Sequence, residues 1–126
     1  MGIYAHSNYS ESKYAMDFLL PLDTPILAAG EGVVWKIKED SSEYALDPSY
    51  ATKVNFVVID HGDGTYAEYV HLKYRGIIVE VGQKVEKGDI IGYSGLSGCM
   101  DLPHLHFNVF KIENGKGVSI PFELSE

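Results

Sequence analysis

The chain has 126 residues, 45% of them hydrophobic, a length that suits one compact core and leaves no room for two. With 18 acidic and 10 basic residues the formal net charge is -8, which disfavours binding to nucleic-acid phosphates or to anionic lipid. Since no apolar run approaches the ~18 residues of a membrane helix and no signal peptide is present, we expect a soluble chain, whether native in length or excised from a longer precursor.

Short runs of β-branched and aromatic residues, separated by Gly, Asp and Asn, recur along the chain and predict a mainly β domain. The predicted strands are residues 32–37, 54–59, 65–72, 76–81, 89–93 and 104–112. The one predicted helix is a turn or two within residues 41–52, where Asp47 precedes a proline. Residues 61–64 (HGDG) predict a tight hairpin, so we expect the strands beside them to pair antiparallel.

Two candidate chemical residues lie near the start of the chain. Asp17 sits in the apolar segment 14–20 (YAMDFLL), where an unpaired carboxylate is costly, so a partner such as a cation is expected. His6 lies upstream of a polar loop. The structural alternatives are a turn-capping aspartate and an N-terminal histidine without a role.

His71 ends the predicted strand 65–72. Strand alternation predicts that its side chain shares a face with Tyr69 and Ala67, opposite Val70 and Leu72. A half-buried structural histidine is the alternative interpretation.

The segment 104–107 (HLHF) holds two histidines one residue apart. Alternation predicts that His104 and His106 share one face, while Leu105, Phe107 and Val109 face the core. Imidazole is both a common zinc ligand and the usual acid or base near neutral pH, although such a pair alone is weak evidence. Together with the upstream candidates, the pair indicates a site with three potential ligands and two proton-transfer groups.

Two other features are assigned to structure. The single cysteine, Cys99, cannot form an internal disulfide and is interpreted as a packing residue of a loop. His61 belongs to the hairpin turn and is expected to face solvent. Residues 81–89 resemble the hairpins of biotinyl and lipoyl carrier domains, a rival function, but lack the Met-Lys-Met or Asp-Lys-Ala signature and are interpreted as a barrel-closing turn.

Nearly the whole chain resembles the M23 family of zinc metallopeptidases, the lysostaphin and LytM-like cell-wall endopeptidases. The resemblance is carried, in order, by YAMDF at 14–18, TPILAA at 24–29, HGDGTY at 61–66, YVHL at 69–72, GQKVEKGD at 82–89, GYSG at 92–95 and PHLHF at 103–107. It implies a single peptidase domain over residues 1–126, with a split-barrel-like antiparallel sheet that forms a groove.

The resemblance further implies that His6, Asp17 and His106 bind one Zn²⁺ and that His71 and His104 are unligated catalytic histidines. Three protein ligands leave a position for water, whose pKa zinc lowers to about 7 for attack on a peptide carbonyl. Which histidine is the base stays open. The expected substrate is a peptidoglycan stem peptide or cross-bridge, which implies an extracytoplasmic location and no nucleic-acid or membrane partner.

Three departures from the family pattern accompany the match. His6 and Asp17 are eleven positions apart, a longer gap than in the compact family motif, and Asn108 stands where a glutamate is frequent. The loop 96–102 replaces the common Thr-Gly-rich approach to the histidine pair. The alternative function is a catalytically silent domain of the same fold that binds or activates another wall hydrolase.

Overall fold

The computed structural model describes residues 3–5, 15–45, 47, 49, 53–99 and 104–121. The strands in these residues are β1 (Ile3–Ala5), β2 (Met16–Leu19), β3 (Pro25–Leu27), β4 (Gly32–Lys38), β5 (Tyr44–Ala45), β6 (Phe56–Asp60), β7 (Thr65–Val70), β8 (Leu72–Ile77), β9 (Lys84–Val85), β10 (Ile90–Ser94), β11 (Gly98–Cys99), β12 (His104–Glu113) and β13 (Lys116–Ser119). The predicted mainly β fold with antiparallel sheets is confirmed. Within the same residues, no helix is both long enough and apolar enough to cross a membrane.

The larger sheet has eight strands, in the order β1-β2-β12-β7-β6-β4-β9, with β13 also paired to β12. One edge of the ten-residue β12 pairs first with β2, through residues 104–107, and then with β13, through residues 110–113. Its other edge pairs with β7. This strand is therefore paired along its whole length, and on both sides at residues 106–107 and 110–111.

The core lies between the larger sheet and a three-stranded sheet of order β3-β10-β8. β12 contributes Phe107 to the core, and Leu105 and Val109 pack against it, as alternation predicts. Tyr69 of β7 is 1% exposed, and its hydroxyl accepts a hydrogen bond from the backbone N–H of Ala29 at 2.8 Å. Burial raises the pKa of Tyr69 to about 12. The opposite face of the larger sheet is thus available for polar side chains.

The predicted hairpin at residues 61–64 is confirmed, since β6 and β7 pair antiparallel on either side of it. Gly62 and Gly64 have φ values of 80° and 91°, a region that glycine adopts without steric cost. Residues 81–89 contain β9, which pairs with β4 at the edge of the larger sheet.

Four of the predicted strands agree with the structure to within two residues at each end, and the other two, 65–72 and 76–81, were wrong in extent. The predicted strand 65–72 is interrupted, because β7 ends at Val70 and β8 begins at Leu72. β8 then runs only to Ile77, so residues 78–81 are not a strand. The break arises where the backbone N–H groups of His71 and Leu72 both donate to the carbonyl of Asn55, at 3.0 and 3.1 Å, and the chain leaves the larger sheet.

The predicted helical turn within residues 41–52 does not include residues 44–45, which form β5 and pair in parallel with β11, whereas Ser49 has 3₁₀-helical geometry. Residues 46, 48 and 50–52 lie outside the described residues. The Asp47 carboxylate accepts a hydrogen bond from the Ser49 backbone N–H at 2.9 Å, a local turn of the kind that aspartate favours.

Candidate active site

Asp17 and His106 face each other across two neighbouring strands. They are direct partners in the β2–β12 register, which puts their side chains on the same face of the sheet. Asp17 Oδ1 and His106 Nδ1 are 3.0 Å apart, and the two side chains are only 15% and 14% exposed. The largely buried carboxylate predicted from the apolar segment therefore has a close imidazole partner.

His104 lies beside this pair. Its Nε2 is 4.0 Å from Asp17 Oδ1, and its side chain is 16% exposed. Both histidines of β12 therefore approach the same carboxylate, which confirms the prediction that they share one face.

The His71 side chain also belongs to this cluster, but it does not share a face with Tyr69 and Ala67 as predicted. Its ring centroid is 4.5 Å from that of His104 and 6.3 Å from that of His106. Ala67 and Tyr69 are instead buried in the core on the other face. The predicted shared face was wrong because His71 lies beyond the end of β7 with a φ of 71°, where strand alternation no longer applies.

The tautomer of His71 is set by Ser97. The His71 Nδ1 atom is 2.7 Å from the Ser97 backbone carbonyl, which can only accept, so Nδ1 carries the proton and Nε2 the lone pair. The pKa of His71 is lowered to about 4, mainly by burial and also by its electrostatic interactions with His104 and His106, while the Ser97 hydrogen bond and Asp17 act in the opposite direction. His71 is therefore a neutral imidazole at ordinary pH.

A buried amide that the sequence reasoning missed supports this turn. Asn55 is fully buried, and its side chain bonds to the Ser41 N–H at 3.0 Å, the Ser41 carbonyl at 2.7 Å and the Leu72 carbonyl at 3.2 Å. The Ser97 hydroxyl accepts from the Asn55 N–H at 3.0 Å and donates to the Leu72 carbonyl at 3.0 Å. Asn55 and Ser97 thus clamp the backbone on both sides of His71. Asn55 could have been identified from the sequence, because it is an amide inside the apolar run 54–59.

Replacing Asn55 with alanine is expected to lower the free energy of unfolding by about 2–4 kcal/mol, because buried Ser41 backbone groups lose their partner. Chemical denaturation followed by circular dichroism measures this. Gln83→Ala is the matched control, since that amide makes an exposed hydrogen bond to the Glu80 N–H and should cost well under about 1 kcal/mol. Equal losses in the two variants would contradict the clamp.

The pKa of His71 also predicts how the stability of the metal-free protein depends on pH. The folded value is about 4 and the ordinary value is 6.5, so between them the unfolded chain binds more protons and stability rises with pH. The stability that the neutral His71 contributes is complete above pH 6.5 and is lost as the pH falls toward 4. Denaturation with a chelator present should show a shallower slope for His71→Asn than for the wild-type chain over this range; parallel slopes would count against a buried neutral imidazole.

The same face carries a second polar network further along β12. Asn108 is fully buried, its Nδ2 donates to Glu68 Oε1 at 3.0 Å, and its Oδ1 accepts from the Ser119 hydroxyl at 2.7 Å. Glu68 is the direct partner of Asn108 in the β7–β12 register. The network orients a carboxylate next to the histidine cluster.

The donor atoms of Asp17 and His106 suit a metal ion. Two ligand atoms on one tetrahedral zinc are roughly 3.3 Å apart, given bond lengths of about 2.0–2.2 Å, and these two are already 3.0 Å apart. The described residues alone contain no group of three His, Cys, Asp or Glu side chains arranged to hold a metal. His6, the third predicted ligand, lies outside the described residues; β1 ends one position before it and pairs Ala5 with Met16, the neighbour of Asp17.

Comparison with known proteins assigns the chain first to a class, the peptidases, through a family model that matches residues 11–120. That model is peptidase family M23, and the chain belongs to this family.

Individual relatives agree with this assignment. The chain is 39% identical over 93 residues to the peptidoglycan DD-endopeptidase ShyA of Vibrio cholerae, a match that covers 74% of this chain and 19% of ShyA. The catalytic domain of the prophage-encoded M23 protein EnpA from Enterococcus faecalis has a TM-score of 0.67 at 28% identity, covering 90% of this chain and 78% of that one. A zinc-containing peptidase from Vibrio cholerae has a TM-score of 0.65 at 27% identity, covering 94% of this chain and 34% of that one. The chain thus spans about a fifth of the length of ShyA.

Proposed function

We propose that residues 1–126 form one peptidase domain, a zinc-dependent endopeptidase that hydrolyses peptide bonds in the stem peptides or cross-bridges of peptidoglycan. Membership of family M23 and the likeness to a peptidoglycan DD-endopeptidase support this substrate class. Because that substrate lies outside the cytoplasm, the domain acts extracytoplasmically.

One observation carries the proposal. A carboxylate and an imidazole, Asp17 and His106, present donor atoms 3.0 Å apart on one sheet face, with His71 and His104 beside them. Burying several polar side chains together lowers the stability of a fold, so a purely structural role does not explain this cluster. Such clusters are characteristic of catalytic sites.

Asp17 and His106, with His6 as third ligand, would hold one Zn²⁺. Carboxylate and imidazole are ordinary zinc ligands, and three of them are typical of catalytic zinc sites. The likeness to a zinc-containing peptidase supports the choice of metal. A bound zinc ion supplies Lewis acidity and lowers the pKa of water in the site to about 7.

His71 and His104, the two histidines that are not metal ligands, transfer protons. His71 is neutral, and its Nε2 lone pair is free of the Ser97 bond that Nδ1 makes, so this nitrogen can accept a proton from the attacking water. Water oxygen bonds to the peptide carbonyl carbon, the C–N bond breaks, and the leaving amine takes up a proton. His104, ring to ring with His71, is placed to share this transfer and to stabilise charge on the carbonyl oxygen.

The test is hydrolysis of purified peptidoglycan, with elemental analysis of the purified chain for zinc. We expect bound zinc, release of soluble cross-link fragments, loss of activity with a chelator and recovery when zinc is restored. Activity that a chelator leaves unchanged would contradict the proposal. A chain that releases nothing but stimulates another wall hydrolase would favour the catalytically silent alternative, and a lysine adduct in the intact mass would favour the carrier.

A further inference from the structure

A single peptide unit, the bond between Ser97 and Gly98, links the His71 imidazole to Glu43, the residue directly before β5. Its carbonyl oxygen accepts the proton of His71 Nδ1 at 2.7 Å, and its N–H donates to the Glu43 carbonyl at 2.9 Å. The unit is planar and trans, so these two groups point in opposite directions and move together. We call Glu43, this peptide unit and His71 the imidazole support. A shift of the Glu43 carbonyl reaches the imidazole through one rigid group.

The peptide unit at the centre of the imidazole support is shielded from water. Ser97 is fully buried, and Gly98 is buried beside it. A buried peptide group that loses its partner has no water to replace it, so the two hydrogen bonds are costly to break. Hydrogen bonds in series also polarise one another, and donation by the Gly98 N–H therefore strengthens the bond that the Ser97 carbonyl accepts from His71.

The Glu43 carbonyl is itself held in place from Asn55. The Asn55 side chain bonds to both backbone groups of Ser41, at 3.0 and 2.7 Å, and the Ser41 hydroxyl accepts from the Glu43 N–H at 3.3 Å. The Asn55 carbonyl accepts from the His71 N–H at 3.0 Å. These hydrogen bonds close a ring that begins and ends at Asn55 and fixes both the backbone and the imidazole of His71.

Gly98 occupies a position where a side chain does not fit. It lies in β11, where residues 98–99 pair with residues 44–45 of β5. Its φ is 80°, which glycine adopts without steric cost, and a Cβ there would lie 2.8 Å from Val54 Cβ and 3.1 Å from Val54 Cα. Any side chain at position 98 would therefore displace the peptide unit of the imidazole support.

We propose that Gly98 and the Glu43 carbonyl are positioning elements of the candidate active site, which fix the tautomer and the orientation of the His71 imidazole through the Ser97–Gly98 peptide. This tautomer keeps the proton on Nδ1 and leaves the lone pair on Nε2, the nitrogen that accepts a proton in the proposed reaction. The inference rests on the proposed function for what the imidazole does, whereas the tautomer is a property of the chain alone.

Gly98→Ala is the first test. It should lower kcat on a soluble cross-linked peptide about tenfold to a hundredfold, with KM and zinc content unchanged, because the imidazole is displaced while the predicted metal ligands stay in place. Gly115→Ala is the matched control, since its φ is 77° and a Cβ there meets no atom of the described residues within 4 Å. It carries the same backbone strain at a site away from His71, so its kcat should equal that of the wild-type chain.

NMR of isotope-labelled imidazole nitrogens reads the tautomer without any substrate. The wild-type chain, metal-free or zinc-loaded, should show one His71 tautomer with the proton on Nδ1, identified by its loss in His71→Asn. Gly98→Ala should show a mixture of both tautomers, and Gly115→Ala should show the wild-type signal. A merely structural role of Gly98 would lower the stability of both glycine variants and leave the His71 signal unchanged.

A second variant keeps every side chain in place, so it tests the imidazole support even if Gly98→Ala does not fold. Replacing Tyr44 with its α-hydroxy acid analogue turns the Glu43 carbonyl into an ester carbonyl, which is a weaker acceptor for the Gly98 N–H. This change should lower kcat about twofold to fivefold, the equivalent of weakening one hydrogen bond. It should also move the proton resonance of His71 Nδ1 upfield, because the bond to the Ser97 carbonyl weakens with it.

The same replacement at Tyr66 is the matched control. It weakens the Thr65 carbonyl, which accepts from the His61 N–H at 3.0 Å in the hairpin, and so removes comparable backbone hydrogen bonding away from the cluster. Both kcat and the His71 resonances should match those of the wild-type chain. Equal effects of the two replacements would count against a specific role of the Glu43 carbonyl.

The outcomes separate this inference from the proposed function. A wild-type chain that cleaves no peptidoglycan but holds the Nδ1 tautomer, with that tautomer lost in Gly98→Ala, overturns the peptidase and leaves the imidazole support. A Gly98→Ala variant with the wild-type kcat and the wild-type tautomer overturns the imidazole support and leaves the peptidase. Loss of zinc together with activity in Gly98→Ala shows that Gly98 acts on the metal ligands, which also overturns the inference.

Discussion

Asp17→Ala is expected to abolish peptidoglycan hydrolysis, with a fall in kcat/KM of about a thousandfold or more, and His106→Ala should do the same. Each change removes one of two donor atoms that stand 3.0 Å apart, and with it a predicted metal ligand. Release of soluble fragments measures the activity, and elemental analysis should show that zinc is lost in parallel. Circular dichroism is expected to show a retained β fold, because both side chains lie on the face away from the core.

His61→Ala is the control for these substitutions. This half-buried histidine belongs to the β6–β7 hairpin, and its Nδ1 lies 2.6 Å from the Glu31 carbonyl. The variant should bind zinc and cleave peptidoglycan as the wild-type chain does. Full activity of Asp17→Ala or His106→Ala would refute the metal assignment.

His71→Ala should lower kcat by about a hundredfold to ten-thousandfold while leaving zinc content unchanged. The reason is that His71 supplies a neutral imidazole whose Nε2 can take a proton, whereas its Nδ1 is committed to the Ser97 carbonyl. Steady-state kinetics on a soluble cross-linked peptide separates kcat from KM, and elemental analysis follows the metal.

Two variants sharpen this experiment. Ser97→Ala keeps the backbone carbonyl that bonds to His71 but removes the hydroxyl that braces Asn55, so its activity should fall much less than that of His71→Ala. If zinc were lost together with activity in His71→Ala, His71 would be a ligand and its assignment as a proton carrier would be wrong.

Local sequence pattern was sufficient for the parts of the fold that depend on near neighbours. The alternation of residues 104–109 predicts which side chains enter the core and which face the site, and the structure confirms both. The hairpin at 61–64 follows in the same way from glycine and aspartate. Asp17 could be singled out because a carboxylate within an apolar segment needs a partner.

The orientation of His71 could not be predicted in this way. Alternation presumes that the strand continues. Here the strand stops at Val70, because the N–H groups of the next two residues, His71 and Leu72, donate to the Asn55 carbonyl. These hydrogen bonds join residues that are sixteen or more positions apart and involve only backbone atoms, so no local sequence pattern predicts them. The role of Ser97 is hidden for the same reason, since its carbonyl would be present in any residue.

His71 is the single residue between β7 of the larger sheet and β8 of the smaller one. Its N–H is held by Asn55, and its carbonyl accepts from the Gly95 N–H at 3.3 Å, just past the end of β10 in the smaller sheet. The position of the imidazole therefore depends on how the two sheets pack against each other. Substitutions in the smaller sheet can thus misalign the chemistry without touching any residue of the cluster.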